Sequence, residues 1–552
     1  MVFRISGRSG RRAASGGCTD GASAQAGPLS GENGLRALCL IACGLVGLSC
    51  ATPTLEDQRT ISSESRSGAL RGAGTPRRVV VITVAGLESA DFLDPWGHVA
   101  AEGESVRMPQ LAGLAREGVI GVHARPPLPG SSYASHATLA TGKRPSGHGV
   151  VADTALDQDG NRSLPYWDNR LMKGMALWDA AIGRGVLALG WPTTAGARIE
   201  LVVPDALPDD PAAGWLDFIG PLTSPLLRRE LESISQQTLS ADKQRDPRTW
   251  PSATERDAAF IELACRVAAS ERDPALWLIR LTRTASLQQS AGYGSVEVDA
   301  ALARVDHQIG RLIGCLDAAG QLADSAVFVL GDVAYRPVHS RVDPNVALVR
   351  EGLIGRDPRS STGVRSWLAV SRSSGRSAYV YARDADSALA AREILEAEAL
   401  RTSAFEVVSA AELAETGADP QAWFGLAARP GYLLGNRLIG PLLSPAEVRG
   451  SAGGLASREI DGSVVGLVAW GRGIRTRVRI QSLDLVDIAP TIATLLGLRL
   501  DDPIDGDPLV GILRAAVPPP PPGPKRLGVG RGEDVERTLR ELGGGRELGR
   551  DR

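Results

Sequence analysis

Val79-Val-Val-Ile-Thr-Val84, running on into Ala85-Gly86-Leu87, is the stretch from which the rest of the chain can be read. Every residue of the six is β-branched, and none alternates with a charged neighbour. Branched side chains are stiff about χ1 and suit a pleated strand better than a helix. A short unbroken apolar run of this kind is a strand buried on both faces, as in a parallel sheet covered by helices.

Outward from this strand, apolar runs alternate with helical patterns. Met108 to Glu117 sets Leu111, Leu114 and Ala115 on one helical face, and Trp178 to Ile182 is a second helix. Val186 to Leu189, Leu276 to Leu281, Ala326 to Leu330 and Val464 to Ala469 are further strands. Val298 to Ala319 is a long amphipathic helix, and Leu485 to Leu496 closes the series. The alternation predicts an α/β fold, a mostly parallel sheet with helices on both faces and inserted cap segments. Residues 204–257 break the rhythm as one insertion. Leu353 to Leu426, with the strand-like Ser377 to Ala382, holds a second.

Composition narrows the classes. In 552 residues, 61 Lys and Arg nearly balance 63 Asp and Glu, so no global field points to nucleic acid. The length suits one large domain, predicted over residues 77–514, or two ordinary ones. Residues 1–50 have the features of an export signal. Arg4, Arg8, Arg11 and Arg12 precede an apolar run from Leu38 to Leu48, too short to span a bilayer comfortably. Ser49-Cys50 at its end resembles a bacterial lipobox, which would make Cys50 the lipidated mature N-terminus and the membrane the partner. Leu40-Ile-Ala-Cys43 fits the lipobox letters better but leaves almost no apolar core ahead of it, and an ordinary signal peptide remains open. The expected location is the bacterial cell envelope, at the outer membrane. Residues 51–76 read as a flexible tether, and 515–552, beginning with the Pro518 to Pro522 run, as a disordered tail. Of the six cysteines only Cys265 and Cys315 lie in the domain; both fall in helical patterns and are expected as buried free thiols, with a disulfide between them the alternative, which no spacing signature supports.

The most specific segment is Pro129-Gly-Ser-Ser-Tyr-Ala-Ser-His136, followed by Thr141-Gly-Lys-Arg-Pro145 and His148-Gly149. It resembles the hallmark of the type I phosphodiesterase / nucleotide pyrophosphatase branch of the alkaline phosphatase superfamily. Tyr166-Trp-Asp168, Leu177-Trp-Asp-Ala180, Gly190-Trp-Pro192, Arg429-Pro-Gly-Tyr432 and Val486-Asp-Ile-Ala-Pro-Thr491 follow in the order of the bacterial relatives. The resemblance covers about Arg77 to Leu509. It implies an alkaline phosphatase-like fold, a hydroxyl nucleophile at Ser132, and two zinc ions held by Asp and His at the strand ends.

Carried over one position at a time, those ligand positions hold Ala85, Leu287, Ala291, Asp332, Val333 and Ala452. Only Asp332 is a donor; the other five are hydrocarbon. One carboxylate and a serine are too few for zinc, so no cofactor is expected. Glu88 and His339 stand near enough in sequence to re-supply ligands. Arg280, Thr282 and Arg283 at the middle strand end imply a basic pocket suited to an anion or a phosphate-containing ligand. His136 and His148 are expected to be structural. Asp306 is expected to serve helix packing or lie exposed. Without a metal or an adjacent base, Ser132 has no evident activator. The leading expectation is a lipid-anchored pseudoenzyme. A hydrolase with rebuilt metal ligation and a structural envelope lipoprotein are the alternatives, and no protein partner is indicated.

Overall fold

The run from Val79 to Val84 lies in β1 (Arg78–Val84), and every residue of it is buried. The computed structural model describes residues 74–94, 96–99, 106–156, 163–206, 214–241, 251–359, 363–454, 464–515, 535 and 537–539. Seven further strands build the main sheet: β2 (Val119–Arg125), β3 (Val186–Trp191), β4 (Leu201–Pro204), β5 (Leu276–Leu281), β6 (Ser325–Gly331), β7 (Val465–Gly471) and β8 (Val478–Asp484). Their order across the sheet is β8-β2-β7-β6-β1-β5-β3-β4. Neighbours pair parallel except β7, which runs antiparallel to both β6 and β2. The predicted strands and the covered, mostly parallel sheet are therefore what the chain forms.

Alternation along β1 sorts the two covering layers. Val79 and Val81 pack with Leu139 of α2 (Ser132–Thr141) and Ile492 of α8 (Ile488–Leu496). Val80, Ile82 and Val84 pack on the other side with α1 (Pro109–Glu117), α4 (Ala253–Ala268) and α6 (Val296–Ala318) through Leu111, Phe260 and Leu302. Between β4 and β5 the described part of 204–257 includes Trp215–Ile219 and α3 (Pro225–Ala241). A separate antiparallel sheet joins Ala369–Ser374, Ser377–Ala382, Phe424–Ala428 and Phe405–Val408, with α7 (Ala385–Thr402) against it. The strand Tyr335–Val342 gathers Gly431–Leu434, Leu443–Pro445 and Gly450–Ala452 into a third sheet.

Two features differ from, or sharpen, the sequence expectations. Cys265 and Cys315 are joined by a disulfide rather than free. They sit on α4 and α6, which pack side by side and bring the two Cα atoms within 5.3 Å. A bridge between long helices fifty residues apart carries no spacing signature, so the pattern alone could not reveal it. In the tail, Leu539 is buried against Ala388 and Leu389 of α7.

Asp306 of α6 explains how α1 begins. The residue before α1, Met108, has no capping side chain. Asp306 accepts instead from the Gln110 amide at 2.8 Å and the Leu111 amide at 2.9 Å. It thus satisfies two of the donors that a helix start leaves orphaned. Burial pushes the carboxyl up to about 6 from 3.8, against the pull of those two amides. A raised folded-state pKa gives stability that is complete below the unfolded value and lost as pH rises through about 6. We expect Asp306 to withdraw up to about 3 kcal/mol of unfolding free energy between about pH 4 and pH 7. Urea titrations of wild type and Asp306→Asn across that window should show the wild-type advantage shrinking as pH rises. A constant difference would contradict the burial-raised carboxyl.

Candidate functional site

Strand parity selects the side chains that meet at the sheet's carboxyl edge. Thr83 of β1 lies on the same face as Val79 and Val81, and its register partner on β5 is Arg280. On β6 the partner is Leu330, so Asp332, two residues further along, returns to that face. This is the face covered by α2, whose first residue is Ser132.

The start of α2 is locally determined. The Ser131 hydroxyl accepts from the Ala134 amide at 3.3 Å, a usual N-cap, and Gly142 closes the helix in the left-handed conformation. Ahead of it, Gly130 has φ +71° and packs against Gly453, whose Cα a side chain at 130 would meet at 3.2 Å. The Gly454 amide donates to the Pro129 carbonyl at 3.0 Å, laying the Ala452–Gly454 segment beside the approach to Ser132.

Ser132 is half-buried and donates to Asp332 Oδ2 at 2.5 Å. Asp332 is wholly buried, and its Oδ1 accepts from the Val333 amide at 2.9 Å. The Arg280 guanidinium donates to Ser132 Oγ at 3.0 Å through Nη2 and to Asp205 at 2.5 Å through Nη1. Asp205, just after β4, also accepts from the Tyr133 hydroxyl at 3.1 Å. Despite burial, the surrounding Asp205 and Asp332 hold Arg280 above the ordinary arginine value, so it stays charged. Exposed Asp153 accepts from the Tyr133 amide at 3.1 Å. Tyr335, buried and three residues beyond Asp332, has its hydroxyl pushed up by burial and then by Asp332 and Asp153.

His136 lies one turn along α2 from Ser132, but both its ring nitrogens are engaged. Nδ1 donates to the Ser132 carbonyl at 2.7 Å, which leaves Nε2 to accept from Thr83 Oγ1 at 2.8 Å. The Ser132 hydroxyl is 3.5 Å from Nδ1, a nitrogen that already carries the proton. Burial and then Arg280 lower the imidazole to about 4. His136 is neutral, packs edge-on against Trp191 at 4.7 Å, and orients the helix rather than acting as a base. His148 is used similarly, accepting from the Val150 amide at 3.1 Å and meeting Thr138 Oγ1 at 3.0 Å.

The expected ligand positions separate. Ala85, Val333 and Ala452 lie around the strand ends, with Ala452 paired to Tyr335. Leu287 sits on α5 (Arg283–Ser290) and packs with the apolar cluster on the opposite face of the sheet. Ala291 caps α5, its amide bonded to the Leu287 carbonyl. Helix α5 also seals the turn after β1: Thr284 Oγ1 donates to the Ala85 carbonyl at 2.5 Å and Gln288 Nε2 to the Gly86 carbonyl at 3.1 Å. Glu88 pairs with Arg336 at 2.5 Å, and exposed His339 meets Ser340 and Tyr432. Among the described residues, no group of three His, Cys, Asp or Glu converges in a way that would hold a metal ion.

The pocket is not basic. Arg280 reaches Ser132 amid Asp153, Asp205 and Asp332, and the Arg283 backbone amide opens α5 on Asp257 at 2.9 Å. Asp205, Asp153 and Tyr335 were not foreseen. Their only sequence signal was position shortly after a strand or after the hallmark helix. Removing the Arg280 charge leaves two carboxylates uncompensated. Arg280→Met should lower the unfolding free energy by about 3–5 kcal/mol, with Arg280→Lys recovering part of the loss. Equal denaturation midpoints for wild type and Arg280→Met would refute this assignment of the guanidinium.

Comparison with known proteins places this geometry. A family model described as type I phosphodiesterase / nucleotide pyrophosphatase matches residues 79–428, more than half of the chain. No curated protein matches the sequence at a significant level. Among solved structures, murine ectonucleotide pyrophosphatase / phosphodiesterase 5 superposes with a TM-score of 0.54 at 17% identity, over 79% of this chain and 100% of that one. An inactive variant of the murine protein in complex with AMP aligns equally well. The human protein gives a TM-score of 0.54 at 15% identity with the same coverage.

Proposed function

Because the chain belongs to the type I phosphodiesterase / nucleotide pyrophosphatase family, we propose that it is an exported, lipid-anchored pseudoenzyme of that family, with the alkaline phosphatase-like fold and pocket but without two-zinc chemistry. One observation carries the reading: a guanidinium, bonded to Ser132 Oγ at 3.0 Å and Asp205 at 2.5 Å, supplies the positive charge at the nucleophile position. A two-metal site uses its cations to activate the nucleophile and clamp the phosphoryl oxygens. Here the side chains present do not fit a zinc pair. Ala85, Val333 and Ala452 offer no side-chain donor, Leu287 faces the other layer, and Asp332 is already bonded by Ser132 and the Val333 amide. Arg280 is a cation held in place by Asp205 and Ser132.

The alternative, a hydrolase with altered ligation, draws its support from the 2.5 Å contact in which Ser132 donates to the Asp332 carboxylate. Against it, a carboxylate is a weak base for a serine hydroxyl, and no imidazole nitrogen is free to help. Purified protein should contain no stoichiometric zinc and hydrolyse a generic aryl phosphodiester no faster than Ser132→Ala. Ala85→Asp should not raise the rate, because one ligand does not build a two-metal centre. Zinc at one or more per chain, with turnover abolished by chelator and by Ser132→Ala, would establish the hydrolase instead.

Export rests on the N-terminal pattern, which lies outside the described residues, and is supported by the Cys265–Cys315 disulfide, a bond typical of oxidising compartments. Among the described residues no helix is long and apolar enough to cross a membrane. A lipid on Cys50 would provide attachment to the outer membrane. Radiolabelled palmitate should enter the wild type and not Cys50→Ala; a mature N-terminus elsewhere would rule the anchor out.

A further inference from the structure

We propose that the outer side of α7, with Ala382 and Trp423, is a helix-docking surface whose occupant is the C-terminal segment of this same chain around Val535 and Leu539. The sequence supplies the ligand. Glu533-Asp-Val-Glu-Arg-Thr-Leu-Arg-Glu-Leu542 stands between Gly532 and Gly543-Gly-Gly545. Val535, Leu539 and Leu542 fall at i, i+4 and i+7, one apolar stripe in an otherwise polar and charged run. Glu533 and Asp534 come first, where a helix start favours negative charge. A helix this short is marginal in water unless it packs on something.

The structure supplies the surface. Val535 and Arg537 to Leu539 are helical, and Leu539 is 2% exposed. Its neighbours are Ala388 and Leu389 of α7, with Ala382, Trp423 and Val535 packed around them. The Trp423 indole donates to the Ala382 carbonyl at 3.1 Å, which holds the ring at the edge of the groove. Helix α7 therefore has two apolar sides. Ala391 and Leu395 face the antiparallel sheet with Phe405 and Phe424. Ala388 and Leu389 form a separate cluster with Leu539. A helix apolar on two sides needs cover on both, and here the second cover comes from the tail.

The arithmetic of the contact makes the tail an exchangeable occupant. One leucine and one valine bury too little surface for tight binding, so the detached segment should bind with a Kd on the order of 0.1 mM. Attachment changes the balance. Val535 follows Ala515 by 20 positions, and six prolines stand between Pro518 and Pro524. A tether of that length presents its end at an effective concentration on the order of 1 mM. The groove is thus about tenfold more often filled than empty, and an amphipathic helix from elsewhere meets it already occupied.

The test uses the full chain. In the wild type, hydrogen exchange at Val535 and Leu539 should be slowed about tenfold. Leu539→Asp should abolish that slowing and leave β1 and α6 as protected as before. A labelled peptide of residues 531–545 should bind the Leu539→Asp protein and bind the wild type about tenfold more weakly, because the tail competes. The same peptide carrying Leu539→Asp should bind neither protein. Tail amides that exchange equally fast in both proteins would refute the docking. So would a peptide that binds both proteins alike, or neither. Protection that appears only as protein concentration rises, together with a dimer in sedimentation, would give the groove to the tail of a second copy and overturn the intramolecular assignment.

Discussion

Arg280 carries a full charge into a pocket from which water is largely excluded, and Asp205 and Ser132 hold it there. A buried ion without partners is costly, and the cost falls only if its hydrogen bonds are well placed. That requirement reaches back through the sheet. Arg280 faces α2 because β5 pairs with β1 in the register that sets it opposite Thr83. A slip of one residue would turn the guanidinium into the apolar layer formed by α1, α4 and α6. Asp332 arrives on the same face from β6, and His136 locks α2 to Thr83 so that Ser132 stands between the two charges. Strand pairing, helix placement and charge burial are thus one constraint.

The turn after β1 is closed by the chain's own side chains. In the turn after β1, the carbonyls of Ala85 and Gly86 receive donors from Thr284 and Gln288 on α5. Adding even one Cβ at Gly86 would strike Gln288 at 2.4 Å. The turn is closed by neutral hydrogen bonds, which need no ion to satisfy them. On the other side Glu88 and Arg336 neutralise each other. These contacts satisfy the turn's carbonyls, while Arg280 Nε and Gln288 Oε1 stay buried without a hydrogen-bond partner among the described residues.

The sheet was legible because β-branched runs such as Val79 to Val84 and helical spacing such as that of Leu111, Leu114 and Ala115 are local properties. Ser132, Arg280 and Asp332 were legible for a related reason: each follows or ends a recognisable strand or motif. Asp205 and Asp153 were not, because their importance comes from tertiary neighbours on other strands. The Leu287 position illustrates the opposite failure. Matching it by its distance from Tyr293-Gly294 put it in a ligand slot, whereas α5 turns it toward the apolar layer. The disulfide was hidden for the same reason, since helix packing decides it and spacing does not.

That disulfide has a topological meaning for the pocket. The covalent loop from Cys265 to Cys315 encloses β5 and α5, the two elements that bring Arg280 to Ser132 and close the Ala85–Gly86 turn. A metal pair ties strand ends together by coordination, so each ligand forgoes freedom in the unfolded chain. Closing a loop of this length by a covalent bond removes chain entropy worth on the order of 4 kcal/mol in the simple polymer account. The segment that places Arg280 beside Ser132 is therefore also the segment whose unfolded excursions are most restricted by covalent linkage, on the face of the sheet away from the pocket.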